Sequence, residues 1–113
     1  MKKGMGIAIL ALMLSGCDNP SIIGKWIQPV PGMENQFQGI NIKEGGDASS
    51  INMSTLVYKS WRHNGDTLTL RGESIGNGQT IEFSEKYEVE KLSRRTLILK
   101  NGGEELKFRR KDS

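Results

Sequence analysis

A chain of 113 residues, 26% charged and 35% hydrophobic, has room for one small domain and no more. Its formal net charge is +3, but Lys2 and Lys3 are the only charges in the first sixteen residues, so the remainder carries +1 and gives no argument for a nucleic-acid partner. A single cysteine excludes a disulfide framework, and a single histidine leaves a zinc set incomplete, so neither a metal nor a cofactor is expected.

The chain opens with a positive start at Lys2 and Lys3 and an apolar run over residues 5–14, which is too short to cross a membrane as a mature helix. The run ends in Leu14-Ser15-Gly16-Cys17, which resembles the lipobox of bacterial lipoprotein precursors. The resemblance implies cleavage between Gly16 and Cys17 and attachment of diacylglycerol to the Cys17 sulfur. The alternative is a structural cysteine behind an ordinary signal. In enterobacterial lipoproteins an aspartate directly after the lipidated cysteine blocks transfer to the outer membrane. Asp18 therefore predicts an inner-membrane anchor facing the periplasm, if the source sorts by that rule. The expected organisation is a leader over 1–16, a polar, proline-interrupted tether over 17–21 and a folded domain over 22–111.

The first strand is predicted over residues 22–28, with Pro29 ending it and a loop running to about Gln36. Pro31-Gly32 suits the middle of a type II turn. Ile40 with Ile42, then Ile51 with Met53, mark the next two strands, separated by Glu44-Gly45-Gly46-Asp47. Residues 56–62 carry apolar side chains on both parities, and Asn64-Gly65 signals a hairpin to the strand of Leu68 and Leu70. Ile81, Phe83, Tyr87 and Val89 keep one parity through a long strand interrupted by Glu85, and Leu92 breaks that parity, which implies a bulge or the strand's end. Leu97 with Leu99 and Leu106 with Phe108 form a last hairpin. About eight antiparallel strands in sequential hairpins predict an all-β, up-and-down barrel, closed so that no edge remains. The seven aromatics, from Trp26 to Phe108, feed its core from every segment.

Gly24-Lys25-Trp26 resembles the Gly-x-Trp signature of lipocalins and the wider calycin group. With the stretches 48–53 and 74–80, nearly the whole domain is similar to small bacterial lipocalin-like lipoproteins. The resemblance implies that Trp26 packs across the closed end of the barrel beneath a basic residue of the last strand, Arg109 or Arg110. The chain is much shorter than the larger lipocalins and has no Cys-x-x-Cys, so neither a roomy calyx nor copper chemistry is implied.

An eight-stranded barrel is filled by side chains or holds one small ligand. Ser50 and Asn52 on one strand and Ser74, Asn77 and Gln79 around a turn are candidates for the polar groups that orient a ligand, although capping turns and facing solvent is the favoured reading of them. Met33, Phe37, Met53 and Tyr58 are candidates for its apolar lining. His63 reads as a solvated turn residue, and Glu82, Glu88 and Glu90 as solvated exterior. No nucleophile, base and orienting group can be assembled, so an enzyme is not expected. The expected function is a lipid-anchored envelope protein that binds a small apolar or amphipathic ligand. The alternative is a filled barrel whose loops grip another envelope protein.

Overall fold

The computed structural model describes residues 20–111. Gly16, Cys17 and Asp18 lie outside the described residues, and the expectations about cleavage, lipidation and sorting lie there with them. Eight strands follow one another as β1 (Gly24–Val30), β2 (Met33–Ile42), β3 (Ala48–Ile51), β4 (Leu56–Asn64), β5 (Thr67–Gly76), β6 (Gln79–Leu92), β7 (Thr96–Asn101) and β8 (Glu104–Arg110). A single 3-10 turn, Glu44–Gly46, stands between β2 and β3.

The order within the sheet is β3-β2-β1-β8-β7-β6-β5-β4, so sequence neighbours pair everywhere except at β3 and β4, and β1 meets β8 through Trp26 opposite Arg110 and Ile27 opposite Arg109. This is the expected up-and-down barrel, with one difference. No ladder joins β3 to β4. An isolated bridge between Asp47 and Ser60 and three side-chain bonds hold that seam. The Ser50 hydroxyl donates to the Leu56 carbonyl at 2.5 Å and accepts from the Tyr58 amide at 2.9 Å, while Trp61 Nε1 donates to the Lys43 carbonyl at 2.6 Å.

The two-residue period decides which side chains face in. Trp26, Ile40, Ile42, Leu68, Leu70, Leu97, Leu99 and Phe108 share the inner face and are almost fully buried. They fill the half of the barrel where β1 begins and β8 ends. Two bulges keep long strands in phase. One between Tyr58 and Ser60 puts Leu56, Tyr58 and Trp61 on the inner face together, although their spacing reads as two parities. The other, between Val89 and Lys91, is the break anticipated at Leu92, which faces inward opposite Leu97.

Pro31-Gly32 forms the anticipated turn, with φ of +80° at Gly32, but no loop reaches Gln36. β1 runs through Pro29 to Val30, and β2 starts at Met33. Beyond Ile27, β1 has left β8 and is paired on one side only, where a strand tolerates proline. His63 is likewise in a strand rather than a turn. The tight turn at Gly65-Asp66 lets β4 continue to Asn64, leaving His63 half-buried opposite Leu68.

Candidate functional site: a plugged end and an open mouth

At the closed end, the guanidinium of Arg110 lies 4.2 Å from the centre of the Trp26 ring. Its three nitrogens donate to backbone carbonyls: Nη1 to Ile23 at 2.8 Å, Nη2 to Ser21 at 2.7 Å and Nε to Arg94 at 2.6 Å. Trp26 Nε1 donates to the Ile22 carbonyl at 2.8 Å, so the ring's only polar atom is satisfied although the residue is fully buried. Gly24 completes the arrangement. A Cβ there would fall 2.4 Å from Arg110 Nη1, and its φ of +147° disfavours a side chain. Of the two candidate arginines, Arg110 is the partner. Arg109 is exposed, opposite Ile27 on the other face.

Toward the opposite end the packing thins, and Ser74, Ile81 and Glu85, all of inward parity, are exposed. There Tyr58 and Tyr87 are buried members of the core and Phe83 and Leu106 are half-buried against it, with Tyr58 and Phe83 edge to face at 5.8 Å between ring centres. Gly72 lies between Tyr58 and Phe83 in the sheet, and any Cβ there would collide with the Val57 carbonyl. Glu85 has the same parity, opposite the fully buried Leu70, yet its side chain is exposed. The Tyr87 hydroxyl donates to Glu85 Oε1 at 2.5 Å. Burial, and next the Glu85 charge, push the Tyr58 phenol up to about 12. Burial and the bond to Glu85 raise that of Tyr87 still further. Both rings are therefore neutral donors at ordinary pH, beside a carboxylate that reaches water.

The candidate ligand residues divide in two. Tyr58 lines the mouth, Ser74 faces the same way between Leu56 and Ile81, and Met53 packs half-buried against the core. Met33 stands on the rim at 47% exposure. Ser50 faces inward, but its hydroxyl is engaged in the seam. Asn52, at φ +60°, donates to the Phe37 carbonyl at 2.7 Å, and Asn77, at φ +51°, forms the β5–β6 turn beside exposed Gln79. Phe37 is not lining. It lies opposite Pro29 on the outer face, where the Lys111 ammonium is 6.0 Å from its ring. Phe83, Glu85, Tyr87 and Leu106 were not among the candidates. The one available signal was Glu85 itself, a carboxylate in the apolar register of β6.

Among the described residues, no cluster of three or more His, Cys, Asp or Glu side chains could hold a metal ion, and no helix is long and apolar enough to cross a membrane. The family model described as lipocalin-like matches residues 18–111. No curated protein matches. The crystal structure of a lipocalin-like protein from Bacteroides thetaiotaomicron VPI-5482 is 50% identical, covers 83% of this chain and 100% of that one, and superposes with a TM-score of 0.79. The match spans the closed-end plug and the open mouth alike, and the chain belongs to the lipocalin-like family.

Proposed function

We propose that the open mouth is a shallow cup for one small apolar or amphipathic molecule, carried on a lipid-anchored envelope protein. The observation that supports this reading is Glu85: a solvent-reaching carboxylate on the inner wall, hydrogen-bonded by Tyr87, among the rings of Tyr58 and Phe83. An apolar wall with one oriented polar group is the usual composition of a small-molecule site. The cup's polar group is an acceptor, so the fitting ligand has a donor at one end, an amine or hydroxyl. The role is binding rather than catalysis. The Leu14-Ser15-Gly16-Cys17 run supports cleavage before Cys17 and lipidation there, with residues 17–21 as tether and the barrel after it. Asp18 supports inner-membrane retention where enterobacterial sorting operates.

The test is mass spectrometry of small molecules released from full-length protein purified from its native envelope. Wild type should release an amphipathic donor-bearing molecule, and Phe83→Ala and Glu85→Gln should release much less. Empty wild-type protein overturns the cup. A second reading, a filled barrel that grips an envelope protein through its loops, draws on the tight packing of the closed half. Cross-linking of wild type in intact cells to one partner protein, through the rim at Met33 or Asn77, would favour it.

A further inference from the structure

The outer face of β4, β5 and β6 carries a charge arrangement that the ligand cup does not use. Ladder registration puts Arg62, Thr69 and Lys86 in one row across the three strands and Ser60, Arg71 and Ser84 in the next. Neighbouring strands are about 4.8 Å apart, so three cationic side chains and three hydroxyls share a patch about 10 Å across. The face is hollowed there. Depressions of 260 and 350 Å³ adjoin, and both are walled by Arg62, Thr69 and Arg71.

Three lysines of the surface are paired: Lys59 with Glu73 at 3.3 Å, Lys100 with Glu90 at 3.1 Å and Lys107 with Glu105 at 3.8 Å. Arg62, Arg71 and Lys86 make no ion pair among the described residues. The nearest carboxylates stand outside the two rows: Glu88 opposite Thr67 at one end, Glu73 opposite Glu82 at the other. Like charges side by side on a sheet repel. Keeping three together in a hollow, with hydroxyl donors between them, is the composition that receives an anion: arginine forks match phosphate oxygens in pairs, and lysine adds a point charge.

We infer that this face is a binding site for a phosphate-bearing molecule with more than one negative charge. It is separate from the cup and does not depend on the lipid anchor. The phosphate has two possible sources, a lipid headgroup or a free phosphorylated compound, and the chemistry of recognition is the same.

The experiment is calorimetric titration of full-length protein in non-ionic detergent with inorganic tripolyphosphate at about 0.15 M salt, where exposed charges more than about 8 Å apart are largely screened. Wild type should bind saturably at one site. Arg71→Gln, which touches both hollows, should weaken binding at least tenfold with no change in thermal midpoint. Arg71→Lys should recover part of the loss, and Arg62→Gln with Lys86→Gln should repeat it. Lys25→Gln, on the outer face of β1, is the control and should bind as wild type. Displacement by glycerophosphoglycerol, the soluble headgroup of an anionic lipid, assigns the site to lipid, and displacement by a sugar phosphate alone assigns it to a free compound. Non-saturable binding by wild type, or equal weakening by Lys25→Gln, overturns the site and reduces the effect to net charge.

Discussion

Arg110 reaches over the Trp26 ring through the space left by Gly24, two residues earlier on the same face of β1, where a Cβ would fall 2.4 Å from Arg110 Nη1. The three residues form one unit across the β1–β8 ladder. Trp26→Ala should cost about 3 to 5 kcal/mol, as expected for emptying a buried tryptophan site. Gly24→Ala should also destabilise, because its φ of +147° disfavours a side chain and the added Cβ would push Arg110 Nη1 off its bond to the Ile23 carbonyl. Arg110→Lys should recover little of what Arg110→Ala loses, since an ammonium cannot serve three carbonyls in one plane while stacking on the ring. Urea midpoints for the single and double variants measure this. Additive losses for Trp26→Ala and Arg110→Ala would contradict the unit.

Two of the three side-chain bonds across the seam between β3 and β4 run through one hydroxyl. Ser50→Ala removes the donor to Leu56 and the acceptor for Tyr58. The expected loss is about 1 to 3 kcal/mol, the cost of leaving such groups without partners. Amide exchange should localise it: the Tyr58 N–H should exchange faster, while amides in the β6–β7 and β7–β8 ladders keep their wild-type protection.

Tyr58 sets a dependence on alkaline pH. Its phenol ionises near 10 when the chain is unfolded and near 12 in the barrel. Between those values the unfolded chain has lost a proton that the folded one keeps, so stability falls as pH rises. The contribution is fully present below about pH 10. It declines by up to about 1.4 kcal/mol per pH unit to about pH 12 and is then flat. Because Tyr87 is also raised, by burial and its bond to Glu85, the decline should be relieved only in part by Tyr58→Phe and further by adding Tyr87→Phe. Denaturant midpoints from pH 8 to 12 test the slope.

Anchoring has its own test. Cys17→Ser should move full-length protein from the membrane to the soluble fraction, since two acyl chains hold a protein stably and none does not. In an enterobacterial host, wild type should band with the inner membrane on a density gradient, and Asp18→Ser should shift it to the outer one. Wild type found in the soluble fraction contradicts lipidation.

The sequence shows most where a local signal is sufficient. Strict parity in Ile81, Phe83, Tyr87 and Val89 gives the inner face of β6, and Pro31-Gly32 gives the turn from β1 to β2. The closed-end plug is legible through Gly24 and Trp26, and parity chooses between the two arginines: Arg110, two residues after the buried Phe108, shares its inward face, and Arg109 does not. Residues 56–62 hide a bulge, since one extra residue at Lys59 looks like two apolar faces. Pro29 reads as a terminator because nothing local says that β1 is unpaired on one side there. Ser50 is found as a polar residue with a purpose, but that purpose depends on where the eighth ladder fails, and only the closed barrel decides that.

That missing ladder also tells how the chain is threaded. Going round the barrel from β4 to β3, every step but one joins strands adjacent in the chain. The exception is β8 to β1, which brings Lys25 and Lys111 together through an amide 2.8 Å from a carbonyl. This one junction holds the most distant pairings in the fold. A circular permutant with its natural ends joined and new ends opened between Met53 and Ser54, beside the seam, would keep every existing ladder and make all of them local. The contacts across the seam between β3 and β4 would become the distant ones in exchange, so the relative contact order would change little. What changes is the order of assembly: the Trp26 plug would form between strands adjacent in the chain, and the seam would close last.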